Sequence, residues 1–133
     1  MKRVFSLLFF IFFAFTVQSQ GVLKMKAYSA SAKFLNNDGS WDEWSDWKKT
    51  SVLIVLDNVN KRVTLYIDPK RTFDVINTEK ETTSDGKQIW KMFSVDDKGD
   101  ECYVVLQQPL DGENTQIFIQ YSNYIFVYKV DTI

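Results

Sequence analysis

Eight runs rich in β-branched and aromatic residues, separated by seven short turn signals, leave this chain little choice of fold class. The runs are VLKMKAYSASAKF (22–34), KTSVLIVL (49–56), RVTLYI (62–67), TFDVINTEKE (72–81), QIWKMFSV (88–95), CYVVLQQ (102–108), TQIFIQY (115–121) and YIFVYKV (124–130). Between them stand NNDGS, DNVNK, DPKR, TSDGK, DDKGDE, LDGEN and YSN. Asp-Gly pairs supply the positive φ angles that tight hairpins require. Val63, Leu65 and Ile67 alternate with Thr64 and Tyr66, the period of a strand with two unlike faces. Pro69 and Pro109 fall at or beside turns, where a missing N–H does no harm to a ladder. No run after the first twenty residues has a helical period. Short connections make consecutive strands neighbours, so the expectation is all-β: an eight-stranded antiparallel meander that hides its two edges by closing into a small up-and-down barrel. The alternative is a curled two-layer β-sandwich. VLIVL, CYVVL and YIFVY are apolar on both faces, so their outer side calls for a cover: the tryptophan segment described below, a partner subunit or a second layer.

The chain opens MKRVFSLLFFIFFAFTVQSQG, two cations followed by an apolar run from Val4 to Phe15 and a short polar stretch. This is the pattern of a secretory signal peptide, residues 1–19, with cleavage after Ser19. The run is well short of the ~20 apolar residues that cross a bilayer as a helix, and no cysteine follows it for lipid attachment. The expectation is a secreted or periplasmic protein without a stable membrane anchor, residues 20–133 forming one all-β domain. Cys102 is the only cysteine, so no disulfide can form within the chain; in the run ECYVVL it reads as a small buried strand residue.

Histidine is absent, which removes Ser-His-Asp and Cys-His nucleophile activation and the commonest transition-metal ligand. Five glycines include no phosphate-binding loop. The acidic cluster DDKGDE (Asp96, Asp97, Asp100, Glu101) lacks the alternation and distal Glu of a calcium loop and reads as a charged hairpin turn. The formal net charge of −1, with both signs interspersed, offers no footprint for nucleic acid. The expectation is a protein that is not an enzyme and uses no metal or cofactor.

The stretch DGSWDEWSDWKK places Trp41, Trp44 and Trp47 three residues apart, with Asp42, Glu43 and Asp46 between them. A strand would split the trio between two faces. A segment with three residues per turn puts all three on one edge and the acids opposite. Such an aromatic edge either folds back over the barrel mouth or the outer sheet face, or stands as a platform for a sugar or a partner. The stretch is similar to the W-x-x-W-x-x-W segment of thrombospondin type 1 repeats, where tryptophans stack in layers with arginines. Those repeats carry a disulfide framework and arginines on a neighbouring strand, whereas this chain, past its leader, has one cysteine and only Arg62 and Arg71.

A signal peptide ending SQ, the DGSW..WS.W stretch, a hydrophobic strand followed by DN.N.R.T.Y and a Tyr-rich last strand together resemble small secreted proteins of unknown function from Gram-negative bacteria, lipocalin-like in layout. The Gly-x-Trp of lipocalins proper is missing from the first strand, so no functional residue carries over. Small residues in AYSASA leave space inside a barrel, either for a ligand or for large residues opposite. Trp90, in QIWKMF, would line such a cavity or fill the core. The expected function is a binding module that holds a small apolar or sugar-like ligand, or a protein partner, through Trp41, Trp44, Trp47 and Trp90. The alternative is a structural or interaction protein of the cell envelope that packs on another protein or a second copy of itself.

Overall fold

The structure, a computed structural model, describes residues 21–110 and 113–133. The expected signal peptide and the Asp-Gly of LDGEN lie outside the described residues. Eight strands follow one another: β1 (Val22–Phe34), β2 (Lys48–Asp57), β3 (Arg62–Tyr66), β4 (Arg71–Thr82), β5 (Gln88–Asp96), β6 (Glu101–Gln108), β7 (Gln116–Gln120) and β8 (Tyr124–Thr132). Each pairs with its sequence neighbours, and β1 pairs antiparallel with β8 to close an up-and-down barrel. The sandwich alternative is thereby set aside.

The turns do what their residues require. In TSDGK and DDKGDE, Gly86 and Gly99 sit at φ +88° and +87°, a conformation other residues adopt only with strain. Their N–H groups donate to Thr83 O and Asp96 O, which closes the β4–β5 and β5–β6 hairpins.

Alternate residues fill the interior. Val52, Ile54, Val63, Leu65, Val104, Leu106, Ile117 and Ile119 form a continuous core with Phe73 and Met25. β1 departs from simple alternation. A bulge between Ala27 and Ser29 breaks register with both β2 and β8, leaving Tyr28 exposed and reversing the phase. Ala30 and Ala32 thus stand opposite Tyr128 and Phe126, two aromatic residues packed against the core. The small residues of AYSASA make room for neighbours, and this end of the barrel is filled.

A polar cluster finishes the same end. Arg71 Nη2 donates to Asp96 Oδ2 and Tyr121 Oη, each at 3.1 Å, and Tyr121 Oη donates to Asp96 Oδ2 at 2.6 Å. Asp96 Oδ1 accepts the N–H groups of Lys98 and Asp100 at 2.9 and 2.8 Å, while Arg71 Nε reaches Asp97 at 3.3 Å. Sequence reading placed Asp96 in a solvated charged turn; instead its carboxylate is turned inward and only 2% of the side chain is exposed. No buried side-chain nitrogen or oxygen among the described residues lacks a partner.

Burial alone would raise the pKa of Asp96, but the hydrogen bonds from Tyr121, Asp100 and Lys98 and the charge of Arg71 outweigh it and hold the carboxyl below its ordinary 3.8. A folded-state value below the unfolded one means that this stabilisation is complete above the ordinary carboxylate range and is lost as pH falls through the folded value. Tyr121→Phe removes both hydrogen bonds of the hydroxyl, the one accepted from Arg71 and the one donated to Asp96, and should cost about 2 kcal/mol in urea denaturation at pH 7. It should also bring acid unfolding to a higher pH; an unchanged acid midpoint would show that the cluster does not govern it.

Candidate functional site

The four tryptophans singled out from the sequence separate into two groups at opposite ends of the barrel. Trp41, Trp44 and Trp47 belong to the β1–β2 connection, beside the end closed by Arg71. Trp90 lies near the start of β5, beside the end bounded by the β4–β5 and β6–β7 connections.

The three-residue spacing has a physical cause in how the connection lies on β1. Leu35 bridges Trp41, Asp42 N donates to Phe34 O, Ser45 N donates to Ala32 O, and Lys48 opens the regular ladder opposite Ala30. Each step of three residues along the connection therefore matches a step of two along β1. Ser45 locks the register: its hydroxyl accepts from Ala32 N at 3.1 Å, and its carbonyl accepts from Ser31 Oγ at 2.7 Å. Outward residues of β1 recur every two positions and the tryptophans every three, so the two series stay in phase.

Lysines take the interleaving place that arginines hold in the layered repeats. The Lys33 ammonium lies 5.6 Å from the Trp41 ring and 4.7 Å from that of Trp44, and Lys129 of β8 lies 4.3 Å from Trp47. Trp44 also meets Phe118 of β7 at 6.3 Å between ring centroids. To reach β7 from β1 it must pass over β8, whose residue in that row is Val127, paired with both Ser31 and Phe118. Val127 points away from the core yet is 2% exposed. The ribbon therefore covers the outer face of β8 rather than the barrel mouth. It does not cover VLIVL: outward Leu53 and Val55 of β2 are half-buried, flanked in register by Lys24, Lys26, Thr64 and Tyr66.

The other end is open. A cleft of about 930 Å³ is floored by Leu23, Leu56, Val75, Trp90, Met92 and Leu106, all part of the core or packed against it. Its origin is the mismatch between β3 and β4. β3 pairs with β4 only from Arg71 to Asp74, whereas β4 continues with β5 to Thr82. A bulge between Val75 and Asn77 turns Ile76 outward, and the gap above β3 opens into the interior. Gln88, Gln108, Asn77 and Thr78 supply polar atoms at the rim, and Lys80 reaches over the Trp90 ring at 5.1 Å. The sequence signal for this site was Trp90 alone; the mouth charges Lys24, Asp57, Lys61 and Arg62 were missed, being scattered over three strands and a turn.

Cys102 faces the core, where burial first and the charge of Asp96 second push its thiol up to about 11, so it is protonated at neutral pH. Among the described residues no group of three or more His, Cys, Asp or Glu side chains could hold a metal ion.

Trp44→Ala should uncover Val127 and Phe118 and cost roughly 2 kcal/mol, less than a fully buried tryptophan because the indole is 41% exposed. Thermal unfolding should show a Tm lower by roughly 5–10 °C; an unchanged Tm would mean that the ribbon rests on the barrel without supporting it. Comparison with protein-family models, with curated proteins and with solved structures finds no match to this chain.

Proposed function

We propose that the protein is a secreted or periplasmic binding module, without enzymatic activity, that holds a small, largely apolar ligand in the cleft beside Trp90. The observation that carries this reading is the contrast between the two ends of one barrel. One end is filled by Phe126 and Tyr128 against alanines and closed by the Arg71 cluster. The other keeps a concavity of about 930 Å³ over an apolar floor, within the size range of small-molecule sites, with a few polar groups at its rim.

A second reading has its own observation. Trp41, Trp44 and Trp47 retain 39%, 41% and 42% exposure after packing on β1, β7 and β8. Three half-exposed indoles in a row suit a partner protein of the cell envelope, or a second copy, that would bury the ridge.

A neutral apolar fluorophore, N-phenylnaphthylamine, separates the two. Under the first reading the protein runs as a monomer, the dye binds saturably at one site, and energy transfer from tryptophan to dye falls sharply in Trp90→Phe while the far-UV spectrum is unchanged. No saturable binding overturns it. A stable oligomer that dissociates on Trp41→Ala favours the second.

A further inference from the structure

We propose that the cleft takes an anionic amphiphile with a single alkyl chain, the chain lying over the Trp90 floor and the headgroup held by Lys24 and Lys61. The inference rests on the reading of the cleft as a ligand site and names the class of ligand.

Charge selects the class. The chain as a whole is slightly acidic, with a formal net charge of −1, yet the side chains lining the cleft include Lys24, Lys61 and Arg62 against Asp57 alone. Two of these four groups are already occupied. Arg62 Nε is paired with Asp74 Oδ1 at 3.0 Å, and Asp57 accepts the N–H groups of Val59 and Asn60 and the Asn60 side-chain amide. Lys24 and Lys61 form no ion pair or hydrogen bond through their ammonium groups with any described residue, and both are exposed. Two uncommitted cations at the mouth of an apolar floor match a ligand that is charged at one end and apolar along the rest.

Shape selects a single chain with one head. The floor residues carry no ionised side chain, and the one charge over them, the Lys80 ammonium 5.1 Å from the Trp90 ring, is a cation, so a second negative charge set among the leucines would have to be desolvated. The rim adds apolar surface of its own: Val22, Ile76 and Ile133 all line the cleft while remaining exposed. Contact with an alkyl chain there would remove from water surface that the free protein leaves in it.

The experiment is calorimetric titration of the purified protein with octanoate, decanoate and dodecanoate, each against the alcohol and the trimethylammonium salt of equal chain length, below micelle formation. Affinity should rise about fourfold for each added methylene, the equivalent of ~0.8 kcal/mol. Carboxylates should bind roughly tenfold more tightly than alcohols, by an amount that shrinks with added salt. The Lys24→Gln/Lys61→Gln double variant, altered only at exposed side chains, should lose most of that tenfold and bind the alcohols as before. If alcohols and carboxylates bind alike, or the double variant keeps its preference, or trimethylammonium salts bind best, the headgroup assignment is overturned and the cleft reading stands. If no alkyl compound binds with a dependence on chain length, both fall together.

Discussion

Antiparallel pairing of β1 with β8 is the interaction on which the rest of this structure depends. A meander of eight strands has two free edges, and here each is the other's partner, from Met25 opposite Thr132 to Phe34 opposite Tyr124. Closure requires the strands to tilt, and tilted strands overhang their neighbours at the rims. β1 runs past the last residue that β2 can pair with it, Lys48 opposite Ala30, and exposes the backbone of residues 31–35. β4 likewise runs past β3 from Ile76 to Thr82. The chain treats the two overhangs differently. The first is covered by residues 41–47, whose N–H groups bond to its carbonyls. The second has no described strand beside it and carries Glu79, Lys80 and Glu81, charges that discourage an unrelated strand from adding to the edge.

That difference produces the asymmetry of the molecule. Where the overhang is covered, the interior below it is filled: alanines on β1 admit Tyr128 and Phe126, and Arg71, Asp96 and Tyr121 form a closed set of hydrogen bonds. A buried carboxylate paired with a half-buried guanidinium is costly to desolvate, and their attraction repays this only with every carboxylate lone pair engaged. Asp96 meets the condition because its second oxygen is held by the backbone of the β5–β6 turn, so the hairpin and the ion pair fix one another. Where the overhang is left bare, the wall between β3 and β4 parts and the core floor meets solvent.

What the sequence made legible was whatever repeats over short distances. All eight strands stand within two residues of the runs that predicted them, because period-two alternation and Asp-Gly or Lys-Gly turns act on neighbours in the chain. The number of strands and the brevity of their connections made closure legible as well. The two bulges were not, since an extra residue at Tyr28 or Ile76 looks like any other strand residue until the partner's register is known. The buried cluster was hidden for the same reason: Arg71, Asp96 and Tyr121 come from β4, β5 and the end of β7, and only closure brings them together. The tryptophan spacing was legible in the sequence, and the structure gives it a cause in the three-for-two match of residues 41–47 to β1. The tryptophans' partners Lys33 and Lys129 were not foreseen, because each looks like an ordinary outward lysine on its strand.

The open end is the feature that stability alone does not explain. Leu23, Leu56, Val75 and Trp90 are left partly exposed, and each square ångström of apolar surface left in water forgoes about 25 cal/mol of burial. The same chain covers its other overhang with a seven-residue ribbon that spends three residues for every two of strand, so covering an overhang lies within its means. The DNVNK turn between β2 and β3 is short, and Asp57 ties it down by accepting three hydrogen bonds from Val59 and Asn60. A longer connection at this point could have reached across to β4 and sealed the cleft. A tight, internally braced turn holds Lys61 at the mouth of the cleft instead. On the proposed reading that surface is covered when ligand is bound, and the free energy forgone by the empty barrel reappears as affinity.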